Sequence, residues 1–263
     1  MPLRAASLVV FSALALLLGG CGHSKAQTTT ATLETTPVMP AETVFVRAYF
    51  IRGGKLAATG RKGVHTPAVG QAAVGALLSG PSSAERRIGL TTALPAAAEL
   101  RKISKRGDRL TVELSTNLDT AARAQLVTTL TQFPSVRDVV LVTPSGRSRP
   151  LTRAGFEALL PPVLVESPLP FAQVRSPLRV AGSSNTFEAT SQLELLGANG
   201  KVLASKTVMA SSGTGTRGTF SVDLRFRSSA GPATLVSYEN SAKDGSRIDV
   251  VRIPVRIPIR ISG

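Results

Sequence analysis

The sequence predicts an α+β domain followed by an all-β sandwich. Between residues 44 and 153, segments of helical spacing alternate with extended segments, which is typical of a small sheet with two helices on one face. From residue 163 onward the helical spacing disappears, and short alternating runs recur between Gly, Ser, Asn and Pro. Pro161-Pro162 separates the two patterns and cannot continue a helix, so it marks the boundary between the domains.

The first 20 residues have the pattern of an export signal that ends at a lipidated cysteine. Arg4 precedes an apolar run from Leu8 to Leu18, which is too short to span a bilayer comfortably, and Gly19-Gly20 stands before Cys21. Cys21 is the chain's only cysteine, and a cysteine at such a cleavage site takes a diacylglycerol on its thiol. We therefore predict a signal peptide at 1–20 and membrane attachment through a lipid on Cys21. The alternative is a plain signal peptide with an incidental cysteine.

Residues 21–43 are predicted to be a flexible tether behind the lipid. The segment is polar and rich in threonine, and it has too few apolar side chains to offset the entropy of ordering. About 20 extended residues reach roughly 70 Å. No cysteine follows Cys21, so the stability of the exported domains must come from packed apolar side chains and not from disulfides.

The α+β domain is predicted at 44–153 and begins with two strands and a helix. The run from Val44 to Tyr49 alternates in side-chain type, Gly53-Gly54 supplies a turn, and a second extended run starts at Lys55. Thr66-Pro67 then supplies a helix cap and a first-turn proline, and Gly80-Pro81 ends that helix.

The rest of this domain is predicted to contain a brief capped turn, a hairpin, a second amphipathic helix and a buried strand. A Ser three residues before a Glu marks the capped turn, and apolar residues at helical spacing mark the helix. In order, these elements are the capping box of Ser82 and Glu85, the hairpin Leu100–Lys105 with Arg109–Leu114, the helix capped by Asp119, and the strand Val136–Val142.

Residues 154–162 are predicted to be a linker, and 163–263 a sandwich of about seven strands. The predicted strands are short apolar or alternating runs between turn residues. They are Leu178–Val180, Phe187–Ala189, Leu193–Leu195, Val202–Ala204, Phe220–Phe226, Thr234–Tyr238 and Ile248–Ile261.

From Val251 to Ile261 the last run alternates strictly, with apolar residues on one face and Arg and Pro on the other. Residues of equal parity direct their N–H and C=O groups to the same edge of a strand, so Pro254 and Pro258 remove donors from a single edge. This predicts an edge strand whose outer edge is unpaired.

Basic residues are concentrated in the first domain. The chain has a formal net charge of +15. Such a charge favours anionic partners, namely nucleic acid, lipid head groups or acidic polymers. Nucleic acid is not expected, because export separates the protein from it and no aromatic stacking motif is present. The candidate contacts for an anion or a partner are the hairpin cluster Arg101, Lys102, Lys105, Arg106 and Arg109, and the ladder Arg252, Arg256 and Arg260. Solvated surface charge explains both sets as well.

Side chains suited to catalysis are few. The chain has two histidines, and only His65 lies in the folded region, without a cysteine or second histidine to share a metal. The run Gly213–Gly218 fits a dinucleotide-loop pattern, but a strand pattern follows it and a helix is required there. We therefore expect no metal, no cofactor and no enzyme activity, although a pair of carboxylates acting alone remains an alternative.

Both domains contain ordered sets of short motifs. The first set is Leu77–Pro81, Gly89-Leu90, Leu94-Pro95, Leu110–Ser115, Ala124–Leu130 and Phe133–Val136. The second is Ser167-Pro168, Ser176–Leu178, Gly182, Thr186–Ala189, Gly200–Ala204 and Asp244–Ser246. The first set resembles, in order, the GerMN domain of spore germination proteins, and residues 165 to 261 resemble the immunoglobulin-like domain (Gmad2 type) that often accompanies it.

The resemblance implies a lipid-anchored envelope protein of a Gram-positive, actinobacterial cell, on the outer face of the membrane. GerMN domains are similar in fold to ring-building modules of sporulation complexes, and related lipoproteins are linked to wall regulation and sensor kinases. We therefore expect a non-enzymatic protein that scaffolds or modulates an envelope, wall or sporulation-type complex by binding an envelope protein or an anionic wall polymer. The alternatives are a modulator of a membrane sensor kinase and a carboxylate-dependent wall hydrolase. The oligomeric state stays open, because this chain has one GerMN unit, whereas the protein that gives the family its name has a pair.

Overall fold

The computed structural model describes residues 43–64, 69–227 and 229–259, which belong to one compact unit. None of the helices in these ranges is long and apolar enough to cross a membrane. The predicted signal peptide, Cys21 and nearly all of the predicted tether lie outside the described residues, as do His65 and Arg260.

The first domain is α+β, as the sequence predicts. Its elements are β1 (Thr43–Arg52), β2 (Lys55–Val64), α1 (Val69–Leu78), α2 (Ser83–Arg87), β3 (Leu100–Arg106), β4 (Arg109–Leu114), α3 (Thr120–Leu130), β5 (Asp138–Thr143) and β6 (Gly146–Arg147). Strands β1 and β2 form an antiparallel hairpin of their own, and the other four form a sheet in the order β3-β4-β5-β6 with β4 and β5 parallel. Helices α1 and α3 pack on each other and on β1, and they also contact β3 and β5, respectively.

Helix α3 is buried on most sides, whereas its spacing predicts an amphipathic helix. Its polar side chains complete the outer edge of β1. The Tyr49 N–H donates to Thr129 Oγ1 (3.1 Å), and Gln125 Nε2 donates to the Tyr49 carbonyl (3.0 Å). Gln132, just after the helix, makes the same pair of bonds with Arg47 at 2.9 and 2.6 Å. These amides and hydroxyls are needed in the interior because a strand edge must have its backbone groups paired.

The second domain is a sandwich of two sheets. Its strands are β7 (Val163–Ser167), β8 (Leu178–Ser184), β9 (Thr190–Gly197), β10 (Val202–Met209), β11 (Gly218–Leu224), β12 (Gly231–Asn240) and β13 (Arg247–Ile257). The sheets have the orders β10-β9-β12-β13 and β11-β8-β7, and their facing side chains form one apolar core. The predicted strand at Phe187–Ala189 is wrong. This segment is a short 3₁₀ helix with a positive φ at Glu188 and Ala189, and the seventh strand is β7.

Strand β13 is an edge strand with an apolar and a wet face, as predicted, but its outer edge is not unpaired. The segment 171–174 runs along that edge. Pro254 offers its carbonyl to the Phe171 N–H (2.7 Å), and Arg256 donates to the Ala172 carbonyl (2.9 Å) and accepts from Val174 (2.8 Å). The two prolines do remove donors from this edge, but a proline still presents a carbonyl, which is what the crossing segment uses.

The segment predicted as a linker, 154–162, packs against the first domain. A 3₁₀ helix at Arg153–Leu159 places Phe156 in the first core, and Leu160 follows it there. Strand β7 contributes side chains to both cores. Leu164 packs in the first core, and its neighbours Val163 and Val165 pack in the second. The pairing of β7 with β8 is so close at Gly182 that a Cβ there would overlap the carbonyl oxygen of Leu164.

Candidate binding site

A half-buried ionic cluster joins the two domains. Tyr49 comes from β1, Glu166 from β7 and Arg153 from the 3₁₀ helix between the domains. The Tyr49 hydroxyl donates to Glu166 Oε1, and Arg153 Nη1 donates to the same oxygen at 2.8 Å. Arg153 also donates to the Thr128 carbonyl (3.2 Å) and lies over the Tyr49 ring, 5.2 Å from its centroid. Since the three side chains come from both domains, the cluster fixes the surfaces between them.

The cluster is held as an ion pair beside a neutral phenol. Burial alone would raise the pKa of Glu166, but the Arg153 guanidinium and the Tyr49 hydroxyl bring it below its usual value. Burial also raises the pKa of Tyr49, so its hydroxyl keeps the proton that it donates to Glu166. The ionised carboxylate therefore holds the domains together through its Oε1 atom.

The first interdomain groove, which we call the Arg52 groove, has a volume of about 570 Å³. The β1-β2 hairpin and the loop after α2 form one wall, and β7 and β13 form the other. Its lining is mainly apolar, with charged side chains at the rim. The apolar lining includes Leu56, Leu90, Leu164, Val251 and Ile253, and the rim carries Arg52, Lys55, Arg252 and Asp249.

Arg52 is partly buried in this groove without a carboxylate within ion-pair distance in the described part of the chain. Its Nη1 donates to the carbonyl of Arg252 across the groove at 2.9 Å. Burial lowers the pKa of Arg52, because the guanidinium loses part of its hydration. A partly desolvated cation beside apolar walls favours a ligand that brings an anionic group.

The second interdomain groove, which we call the Phe groove, has a larger volume of about 1040 Å³. Two exposed phenylalanines line it, Phe45 of β1 with 66% of its surface exposed and Phe171 with 47%. Its other lining includes four cationic side chains, Arg47, Lys62, Arg175 and Arg179. Of the acids, Glu166 lines the groove but is engaged by Arg153, and Asp223 pairs with Arg179 at 3.1 Å. The groove is therefore cationic with apolar side chains at its surface.

The structure divides the predicted hairpin cluster between two roles. Arg109 is bound to the buried Asp138 on the neighbouring strand, so it is a structural ion pair. The side chains of Arg101, Lys102, Lys105 and Arg106 are exposed along β3. Strand β3 ends its sheet, and charged side chains on an edge strand oppose pairing with another chain. This gives the four exposed cations a structural reason, and their role as partner contacts stays a prediction.

The predicted arginine ladder is split as well. Arg252 lies at the rim of the Arg52 groove, whereas Arg256 contacts the segment 171–174 through its backbone. Both side chains are exposed, so contact with an anion or a partner remains open to test.

The buried carboxylates of the described residues each have an arginine partner. Glu85 is bound by Arg61, Asp138 by Arg109 and Glu194 by Arg247, the last at 2.8 Å. Within 43–64, 69–227 and 229–259, no group of three or more His, Cys, Asp or Glu side chains is arranged to hold a metal ion. The acids that burial could have tuned for proton transfer are thus ion-paired parts of the fold.

Sequence reasoning missed both grooves and the residues that distinguish them. Arg52 stands next to a turn, and Phe45 and Phe171 belong to short apolar patterns. Their exposure depends on where the second domain lies against the hairpin. The alternation of β1 contained a weak signal, since Phe45 and Arg47 fall on the same face as Tyr49.

Comparisons with known proteins agree with this architecture. A family model described as sporulation and spore germination, Germane, matches residues 47–143, and one described as the immunoglobulin-like domain of bacterial spore germination, Gmad2, matches residues 162–246. No curated protein matches the chain.

Two solved structures are similar to part of it. The tandem GerMN domains of the sporulation protein GerM from Bacillus subtilis are 19% identical with a TM-score of 0.37, covering 45% of this chain and 48% of that one. A crystal structure of a presumed lipoprotein from Clostridium perfringens is 19% identical with a TM-score of 0.29, covering 43% of this chain and 89% of that one. The chain thus spans about half the length of the GerM structure it matches. The chain is thus similar over residues 47–143 to the Germane family of sporulation and spore germination, and over residues 162–246 to the Gmad2 immunoglobulin-like domain of bacterial spore germination.

Proposed function

We propose that this chain is a lipid-anchored protein of the outer face of the cell membrane that acts by binding a protein of a sporulation- or germination-related envelope complex. The export pattern with its terminal Cys21 supports the anchor, and the two family matches support the process. The ion-paired state of the buried acids favours binding over catalysis.

The observation that carries the proposal is the Arg52 groove. Both domains contribute to its walls, so a partner segment seated there recognises the assembled pair of domains. Apolar walls with a partly desolvated guanidinium suit a protein segment that has apolar side chains and an acidic group. The Tyr49–Glu166–Arg153 cluster keeps this surface formed before the partner arrives, which reduces the entropy lost on binding.

Lipid anchoring is tested by replacing the acylated residue. The variant Cys21→Ser cannot carry a thioether-linked lipid, so we expect it to leave the washed membrane fraction, whereas the wild-type chain stays there and incorporates a labelled fatty acid. Retention of the Cys21→Ser chain in membranes washed with high salt, which screens the attraction between surface charges and lipid, would show that the anchor is elsewhere.

Partner binding is tested by photocrosslinking in cells from the groove wall. A photoreactive residue at Val250, half-buried in the Arg52 groove, is expected to give a discrete crosslinked protein. The same residue at Lys201, exposed in the turn between β9 and β10, is the matched control and is expected to give none. Adding Arg52→Gln should remove the product, because the acidic group of the partner loses its cation. Equal products from both positions, or none from Val250, would refute the role of this groove.

A further inference from the structure

We propose that the Phe groove docks the folded domains directly onto an anionic lipid bilayer. The inference rests on the proposed lipid anchor and adds an orientation to it. A lipid on Cys21 does not by itself decide which surface of the folded domains meets the membrane, whereas a docking face fixes that surface and the one that remains for the partner.

The apolar part of this face is contiguous. A Cβ placed on Gly60 would lie 3.1 Å from Leu169 Cδ1 and 3.9 Å from Phe45 Cδ1, so both side chains approach the backbone of β2 at this point. Phe171 continues the same surface two residues beyond Leu169, and all three line the groove. Transfer of an exposed aromatic side chain from water to the interfacial region of a bilayer is favourable.

Phe171 is held in its exposed position by an unusual backbone. Its φ is +67°, a region that bulky residues rarely occupy, and its N–H donates to the Pro254 carbonyl at 2.7 Å. Strain of this kind persists where the surrounding structure imposes it, and it concentrates at functional sites. Here the imposed backbone leaves the phenyl ring 47% exposed beside a cationic groove.

The charges around the phenyl rings match an anionic surface. Within the described residues, Arg47, Lys62 and Arg175 have no carboxylate within 4.0 Å, and the acid that lines the groove, Glu166, is occupied by Arg153 and Tyr49. Each such cation near an anionic bilayer contributes about 1 kcal/mol, which corresponds to about fivefold in the docking equilibrium.

The position of the face in the chain also fits a bilayer. Strand β1 begins at Thr43, the last residue of the predicted tether, and Phe45 lies two residues further on. The docking face is therefore at the end of the body from which the chain leads to Cys21. An anionic wall polymer would bind the cationic side chains but would leave the phenyl rings in water. The combination of cations and exposed phenyl rings therefore favours an anionic lipid bilayer.

The test uses the lipidated full-length protein in vesicles. The natural chain has no tryptophan, so Phe45→Trp and Phe171→Trp each introduce a single fluorophore at the docking face with a conservative change. We expect brominated phosphatidylglycerol to quench both tryptophans and to shift their emission to the blue. Phe187→Trp is the matched control, since Phe187 is 57% exposed and does not line the groove, and we expect no quenching there.

The charge contribution is tested in the same vesicles. Adding Arg47→Gln and Lys62→Gln should reduce docking about fivefold for each cation, and the same changes at Arg101 and Lys102 on β3 should have little effect. Quenching of Phe45→Trp no stronger than that of the control would overturn the docking proposal, as would equal quenching in phosphatidylcholine alone. Either result leaves the anchor intact, because the anchor is decided separately by the fractionation of Cys21→Ser.

Discussion

Replacing Glu85 with alanine is expected to destabilise the α+β domain by about 3–5 kcal/mol, since it breaks a buried ion pair on one side only. Glu85 is 3% exposed and receives hydrogen bonds from Arg61, from Thr59 Oγ1 and from the Ser82 N–H, the last at 2.7 Å. Arg61 also donates to the Gly80 carbonyl at 3.1 Å. Removing the carboxylate leaves this guanidinium partly buried without an anion and opens the cap of α2.

Chemical denaturation followed by circular dichroism measures this loss. Asp223→Ala is the matched control, because it removes an exposed ion pair with Arg179. The Asp223 side chain is 44% exposed and the Arg179 side chain 70%. Such a pair contributes less than about 1 kcal/mol. A Glu85→Ala midpoint close to that of Asp223→Ala would show that the Arg61 pair adds little to the fold.

The same carboxylate makes stability depend on pH in a defined direction. Burial alone would raise the pKa of Glu85, but the hydrogen bonds from Arg61, Thr59 and Ser82 lower it to about 2. A depressed pKa means that the folded state prefers the ionised form, so this stabilisation is present above the unfolded pKa near 4.5 and is lost as pH falls towards 2. The variant Glu85→Gln should therefore lose less stability than the wild type between pH 4.5 and 2.

Glu85 also shows how far local sequence signals reach. The spacing of Ser82 and Glu85 predicts a capping box, and the structure contains it. The same carboxylate binds Arg61, which comes from β2, and no spacing rule relates a helix cap to a strand residue so far away. Local hydrogen bonds are predictable from sequence, whereas a second partner depends on which elements pack together.

Helix α3 illustrates the same limit for burial. Gln125 and Thr129 have the residue types of a solvent-facing stripe, and the spacing therefore predicts an amphipathic helix. In the structure both are fully buried, because β1 needs partners for its outer backbone groups. The two grooves are still less predictable from sequence, since each forms only where the two domains meet. The exposed cations of β3, in contrast, can be predicted from the sequence because they cluster around a hairpin turn.

Replacing Arg153 with alanine is expected to cost about 3–5 kcal/mol and to uncouple the two domains. The change leaves Glu166, whose side chain is 16% exposed, with the Tyr49 hydroxyl as its remaining direct partner. It also frees the Thr128 carbonyl, to which Arg153 donates at 3.2 Å. Since the cluster links β1, the 3₁₀ helix and β7, its loss removes an ionic link between the sandwich and the hairpin and leaves the Arg52 bond to the Arg252 carbonyl as a polar contact there.

Differential scanning calorimetry distinguishes loss of coupling from a general loss of stability. The wild type is expected to unfold in one transition, and Arg153→Ala in two, with the α+β domain and the sandwich melting separately. Arg179→Ala, which removes an exposed arginine from the sandwich, should retain one transition. A cycle of Arg153→Ala with Tyr49→Phe then measures the coupling within the cluster, for which contacting residues typically give about 0.5–3 kcal/mol. A single transition at an unchanged temperature in Arg153→Ala would mean that contacts outside the ionic cluster, such as those of Leu164 and the Arg52 bond to the Arg252 carbonyl, hold the domains together, and both grooves would then persist without the cluster.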